Sequence, residues 1–259
     1  RGALAPGPLK DAISGTWLGH ALHPLLTDVP IGTWTSATLL DLLGGEDGAG
    51  AAETLIGIGI AAAVPTAASG LVDWADTTLT DTEVKRVGVA HAVANTIALT
   101  LYSASLAARR RGSRRKGVIL GLAGAGALAA GGHLGGHLSY AKGVGVDQTA
   151  FEPETDEWVD VLAERDLADG DARLVDAGGL PVMLTRQDGR VLALADRCNH
   201  RGGPLHEGDI ADGCVTCPWH ESVFRLSDGS VVRGPATFPQ PVYDARVRDG
   251  RIEIRSPAS

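Results

Sequence analysis

Three cysteines in 259 residues are too few for a disulfide framework. Positive charge is also short: 23 Lys and Arg stand against 31 Asp and Glu, a formal net charge of −8. Nucleic-acid binders present basic faces, so nucleic acid is excluded as a partner. No catalytic nucleophile and no acid/base pair is visible, so no catalytic residue is assigned. The charge that is present is unevenly shared. Residues 1–140 carry ten basic and ten acidic residues, whereas residues 141–259 carry thirteen and twenty-one and account for the whole of the −8.

Four apolar runs fill the first part, roughly Val29–Leu43, Ala51–Val72, Gly88–Ala108 and Gly117–Tyr140. A spanning helix needs about 20 mainly apolar residues. The last three runs meet that length. The first does so if it opens near His23, which places Pro24 and Pro30 in its opening turns, where a missing N–H has no helical partner. Pro65 predicts a kink in the second. Charge is almost absent inside the runs, which favours a transmembrane bundle over a soluble one. Residues 1–140 thus read as a four-helix transmembrane domain in contact with membrane lipid. Residues 141–157 read as a linker, and 158–259 as a soluble β domain.

Orientation follows from one loop. Arg109, Arg110, Arg111, Arg114, Arg115 and Lys116 separate the third and fourth runs. Short loops dense in Lys and Arg stay cytoplasmic. The loop at 46–50 has no basic residue, and that at 73–86 is mostly acidic. The fourth helix then leaves the cytoplasm, and the following domain lies outside. Ser113-Arg114-Arg115-Lys116, followed by Val118-Ile119-Leu120 and a Gly/Ala-rich run, resembles a twin-arginine export signal, an address read by a receptor. A plain positive-inside anchor is the alternative.

Five of the eight histidines, His20, His23, His91, His133 and His137, fall at the outer end of these helices. Ionisable residues in a membrane are costly and usually mark function. His133 and His137 share a helix face at i, i+4, among Gly131, Gly132, Gly135 and Gly136, where missing side chains leave room for a flat macrocycle. Two histidines from different helices suit a b-type haem. His91 and His137 are the preferred pair, with His23 and His133 in reserve. At a rise of about 1.5 Å per residue, His91 lies roughly 27 Å above Arg109 and His137 roughly 32 Å above Lys116. A quinone pocket stays open, as does a structural role in which the glycines only allow close helix packing. The segment His23-Pro24-Leu25-Leu26-Thr27-Asp28-Val29-Pro30-Ile31-Gly32, ending in Leu39-Leu40-Asp41, resembles the first helix of a family of bacterial four-helix membrane proteins. That resemblance covers about residues 15–140 and implies a membrane domain with functional histidines but no assigned chemistry.

The second part alternates short strand-like runs with turns: Trp158–Leu162, Pro181–Thr185, Val191–Ala195, Val242–Val247 and Arg251–Ile254. Asp188-Gly189, Asp228-Gly229 and Asp249-Gly250 are hairpin signals. The whole reads as an antiparallel β domain. Within it stand Cys198-Asn199-His200 and, sixteen residues later, Cys217-Pro218-Trp219-His220. Two thiolates on one iron and two imidazoles on the other make a Rieske [2Fe–2S] centre. Tetrahedral zinc also accepts two Cys and two His, but C-x-H followed by C-P-W-H in a β domain argues against it. The pattern resembles the Rieske ferredoxin family over about Trp158–Arg255. The resemblance implies Cys198, His200, Cys217 and His220 as metal ligands and Ser222 as a donor to a cluster sulfide. It also implies that Gly234-Pro235-Ala236 belongs to the loop that shields the cluster. Respiratory-chain members carry one more cysteine in each ligand loop, joined as a disulfide; Gly203 and Trp219 stand there instead. Phe224 replaces a tyrosine hydroxyl. One donor kept and one lost imply an intermediate potential, within the roughly −150 to +300 mV span of such centres. Cys214 is left over as a small apolar filler.

The chain therefore reads as an α + β, two-domain, membrane-anchored Rieske electron-transfer protein of a bacterial cell membrane. The plan resembles multi-span Rieske proteins of actinobacterial respiratory chains. Electrons would pass between a membrane haem b or quinol and an extracytoplasmic redox partner, with neutral His200 or His220 accepting the quinol proton. The alternatives are a ferredoxin-like donor to an oxygenase or reductase, and a redox sensor. An oxygenase proper needs a further iron site of two His and a carboxylate, for which no sequence is left before Ser259. A homo-oligomer is open.

Overall fold

The computed structural model describes residues 7–77 and 82–257. The chain divides into two units: residues 21–144, and a second unit that joins the segment up to His20 with everything from Gly145 onward. The helical boundary expected at residue 140 thus falls at 144, and the opening segment packs with the β domain rather than with the helices. Part of the acidic loop after Asp73, residues 78–81, lies outside the described residues.

The described residues form five α-helices: α1 Pro8–Ser14, α2 Leu22–Leu43, α3 Ala49–Thr77, α4 Thr82–Arg110 and α5 Arg114–Gly136, the last continued by a π-turn over His137–Ala141. Helices α2 to α5 make the helical unit. Among the described residues three helices are long and apolar enough to cross a membrane: α3, α4, and α5 with its continuation. α2 has the length, at 22 residues, but Asp28, Asp41, His23 and a series of Thr dilute its apolar character. The four-span count is therefore not reached on composition.

Pro24 lies in the first turn of α2, as expected, but Pro30 lies in its interior. A proline there has no N–H for the carbonyl four residues back, which is that of Leu26. The Thr66 hydroxyl of α3 lies 3.0 Å from that oxygen and shares its proton between it and Ala62 O. The lost backbone bond thus becomes an α2–α3 contact. Trp34 stacks on Tyr102 with centroids 4.4 Å apart, in a core with Ala37, Ala52, Ile56 and Ala98. Gly59 and Gly124 make room for these rings. Arg109 does not belong to a loop: it forms a buried ion pair with Asp41 of α2. Arg114 donates to Gly45 O between α2 and α3.

The β unit holds two antiparallel sheets. Six strands run in the order β1-β10-β9-β4-β3-β2: β1 Val159–Ala163, β2 Ala172–Asp176, β3 Pro181–Gln187, β4 Arg190–Ala195, β9 Val242–Arg248 and β10 Arg251–Arg255. Four short strands run β5-β6-β7-β8: Asp209–Ala211, Cys214–Thr216, Val223–Arg225 and Val231–Arg233. Three hairpins turn on Asp-Gly pairs with both residues at positive φ, at 188–189, 212–213 and 249–250, as two-residue turns matching strand twist require. Asp228-Gly229 differs: the Asp228 carboxylate accepts the Ser230 N–H and only Gly229 has positive φ. The first core lies between Leu180, Val182, Leu184, Ile252 and Ile254. The second, with Met183, Leu194, Leu205, Val215, Phe224 and Leu226, includes both Cys198 and Cys217.

Candidate metal centre

Two loops supply the four expected ligands, and they share one backbone plan. The Cys198 N–H donates to Gly203 O at 2.9 Å, and the Gly202 N–H to Cys198 O at 2.7 Å. Likewise the Cys217 N–H donates to Ser222 O at 2.8 Å, and the Glu221 N–H to Cys217 O at 3.1 Å. In each loop the fourth residue after Cys is left-handed, Gly202 at φ 77° and Glu221 at φ 63°. The loops thus curl alike and present Cys and His to one place.

Both cysteines are buried, and none of the three forms a disulfide. The two thiols interact: the bond to Cys217 and burial hold Cys198 protonated, while the same bond favours the Cys217 thiolate. The His200 and His220 rings meet edge to face, centroids 5.0 Å apart. Burial, then the nearby His220, lowers His200 to about 3. Burial also lowers His220 to about 4, so both imidazoles are neutral at pH 7. His200 Nδ1 and His220 Nε2 are buried ring nitrogens with no hydrogen-bond partner. Buried polar atoms are normally satisfied, and a metal is what neutral imidazoles and thiolates satisfy. Two adjacent thiols and two adjacent imidazoles, carried by the paired loops, are the donor set of a two-iron cluster.

Gly203 and Trp219 are neighbours. A Cβ on Gly203 would lie 2.8 Å from Cys217 Sγ and 3.0 Å from the Trp219 ring. Ring-on-backbone packing therefore occupies the place of the missing staple. The Ser222 hydroxyl, fully buried, accepts the Ala236 N–H at 3.0 Å, which leaves its own proton to donate. Phe224 is buried in the core and Cys214 is partly buried.

Sequence reasoning misses two residues that hold the first ligand loop. Gln240 Oε1 accepts the Asn199 N–H at 3.0 Å, and its Nε2 donates to Ala195 O and Arg197 O. Asn199 Nδ2 in turn donates to Phe238 O and Pro239 O. A side chain between two ligands, as in Cys-Asn-His, is the one signal that pointed there. The linker is engaged as well, since the Gln148 N–H donates to Asn199 O at 2.9 Å.

The membrane histidines separate into two kinds. His23 Nδ1 lies 3.0 Å from Thr66 O and 3.2 Å from Ser69 Oγ, with its ring on Gly70. His91 Nδ1 lies 2.9 Å from Gly131 O, with its ring on Gly135, and Asn95 Nδ2 is 3.2 Å from its Nε2. A carbonyl only accepts, so Nδ1 carries the proton in both rings. His133 and His137 are exposed. His91 is thus seated on the Gly131–Gly135 face of α5, which His137 does not share, so the structure does not bring the preferred haem pair together. Gly131 and Gly135 make room for Asn95 and His91 rather than for a macrocycle.

Residues 157–244 match the family model of the Rieske [2Fe-2S] domain, and residues 19–148 that of a predicted membrane protein family, DUF2231. The chain is similar to the anthranilate 1,2-dioxygenase ferredoxin subunit of Burkholderia cepacia, 36% identical over 30% of this chain and 72% of the relative. It is also similar to the ferredoxin component of the alkene monooxygenase system of Xanthobacter autotrophicus, 34% identical over 40% of this chain and 84% of the relative. Among solved structures, the ferredoxin of carbazole 1,9a-dioxygenase from Nocardioides aromaticivorans IC177 matches at 25% identity and TM-score 0.38, over 39% of this chain and all of that one.

Proposed function

Because the chain belongs to the DUF2231 family of predicted membrane proteins and carries a Rieske [2Fe-2S] domain, we propose that it is a membrane-held one-electron carrier of the ferredoxin kind, serving an oxygenase or reductase partner. The observation that carries this is the staple-free centre, with Gly203 packed directly on Cys217 and Trp219. The cluster, when bound, supplies a one-electron store. The chain's own residues do the rest. Cys198 and Cys217 would hold it as thiolates, Cys198 giving up its proton on binding, and His200 and His220 as neutral imidazoles. Ser222, whose oxygen accepts the Ala236 N–H, keeps a hydroxyl proton to donate. Trp219, 40% exposed, brings an aromatic face from the ligand loop to the surface.

The basic α4–α5 connection supports an extracytoplasmic β domain, because α5 then starts inside and ends outside. Residues 7–20 group with the β domain, which supports an even number of crossings between His20 and Gly145 and so a reading in which α2 is the fourth span.

A second reading keeps a haem b or quinone in the helical unit, now at His23 and His91. One observation favours it: both rings anchor Nδ1 on a carbonyl, the arrangement that prepares Nε2 as a ligand. Dithionite-reduced protein would then show the sharp visible bands of a bis-His haem.

The main reading is tested on purified, full-length protein. The reduced sample should give the rhombic, low-g EPR signal of a two-His [2Fe–2S] cluster, altered in His220→Cys. Zinc without iron or acid-labile sulfide would sink it. A flavin-dependent reductase with NADH should reduce the cluster, whereas a short-chain quinol should not. Rapid reduction by the quinol would favour the respiratory reading.

A further inference from the structure

α2 and α4 carry matching side chains at one constant offset. Asp41 pairs with Arg109, 68 places further on. At the same offset Trp34 stacks on Tyr102, and Pro30 and Ala98 are buried alike. α3 and α5 match in turn. Gly59 makes room for Trp34 as Gly124 does for Tyr102. Thr66 O meets His23 Nδ1 as Gly131 O meets His91 Nδ1, and the two rings lie over Gly70 and Gly135. These α3 and α5 positions also share one offset of their own. The α2–α3 and α4–α5 hairpins thus repeat one packing plan, and equivalent residues meet across a local two-fold axis between α2 and α4.

His23, Trp34 and Asp41 are eleven and seven residues apart, close to three and two helical turns, so they form one stripe on α2. His91, Tyr102 and Arg109 repeat that stripe on α4. Two of the three rungs are in contact across the axis. The third rung is the pair of histidines, and the charge that reaches His23 is that of His91. In both rings Nδ1 carries the proton, so Nε2 offers a lone pair. Asn95 Nδ2 lies 3.2 Å from His91 Nε2 but donates to His91 O at 2.9 Å. Two lone pairs turned to one axis suit a centre that accepts electron pairs. The carbonyls of a quinone only accept hydrogen bonds and would meet no donor there.

We propose that His23 and His91 are the two halves of one site, on the two-fold axis of a duplicated helical hairpin, and that it takes a single metal centre through both Nε2 atoms. The inference rests on the second reading above, in which it chooses metal over quinone, and is independent of the cluster. Membrane proteins built from internal repeats place ligand sites where the repeats meet. An imidazole whose other nitrogen is fixed on a carbonyl is oriented for ligation. The centre is a haem iron or a bare ion that imidazole suits, zinc or copper.

Full-length protein is expressed with ample haem, zinc and copper and purified in detergent. Haem is read from the visible spectrum of the dithionite-reduced sample, and zinc and copper by elemental analysis. Sharp haem bands, or zinc or copper without them, tell the two sources apart. His23→Gln and His91→Gln keep a side-chain N–H for Thr66 O and Gly131 O. Each alone should remove the metal centre, and the double variant should lose no more than either single. Loss in only one single variant would overturn the shared site. Quinone that co-purifies and is lost in both variants, with no metal, would overturn the metal but leave the second reading standing. Neither metal nor quinone would remove that reading as well. The two-fold relation has a test of its own. Asp41→Arg combined with Arg109→Asp should regain most of the thermal stability lost in either single variant. A double variant no more stable than the singles would overturn the duplication.

Discussion

Replacing Gln240 by leucine nearly keeps the volume of a side chain that is 1% exposed and removes three hydrogen bonds at once. Gln240 Nε2 donates to Ala195 O at 2.9 Å and to Arg197 O at 2.8 Å, and Oε1 accepts the Asn199 N–H at 3.0 Å. Leucine strands all three backbone groups in a buried setting, at about 1–3 kcal/mol each. Water entering the space can satisfy part of this. The expected loss is about 3–5 kcal/mol, a large share of the roughly 5–15 kcal/mol that holds a domain. The stranded groups flank Cys198, so the loss should appear as faster bleaching of the visible cluster absorption in urea, ahead of global unfolding. Gln240→Glu keeps the acceptor for Asn199 and loses both donors, so it should fall between leucine and the unmodified protein. A stability loss under about 1 kcal/mol, the size of an ordinary substitution, with an unchanged bleaching rate, would refute the reasoning.

Asp41→Ala leaves Arg109 buried and unpaired, which should cost about 3–5 kcal/mol. Adding Arg109→Met should return most of it, read by thermal unfolding in detergent. Burial raises the Glu152 carboxyl to about 6. A carboxylate raised in the folded state makes that state bind more protons than the unfolded one. Stability should therefore fall as pH rises from about 4.5 to about 6, and Glu152→Gln should flatten that slope in chemical denaturation. Replacing Arg114 and Arg115 by Lys keeps the charge. If they form a receptor-read signal, a reporter after Ser259 should lose its extracytoplasmic readout. A cytoplasmic readout in the unmodified chain would instead remove the topology.

The ligand set, the two-part organisation and most strands of the large sheet were legible in the sequence, because each is written in local order. Cys-x-His and Cys-Pro-Trp-His are spacings, long runs without charge are composition, and Asp-Gly at 188–189 and 249–250 needs only the local twist of a hairpin. Strands β5 to β8, at three residues each, are too short to show a period, and β2 breaks its alternation at Leu174-Val175. What only the tertiary structure decided concerns residues far apart in the chain. The sequence groups residues 7–20 with the helices because they are adjacent in order. Asp11 on Gly234 and His20 on Phe238 put them with the β domain instead. Helix heights allowed His91 and His137 to pair, but rotation about α5 sets Gly131 and Gly135, not His137, against His91. Height along a helix follows from counting residues, whereas the face it turns to a neighbour follows from packing. Gln240 likewise carries no motif, because its three partners become neighbours only when the chain returns to the first ligand loop.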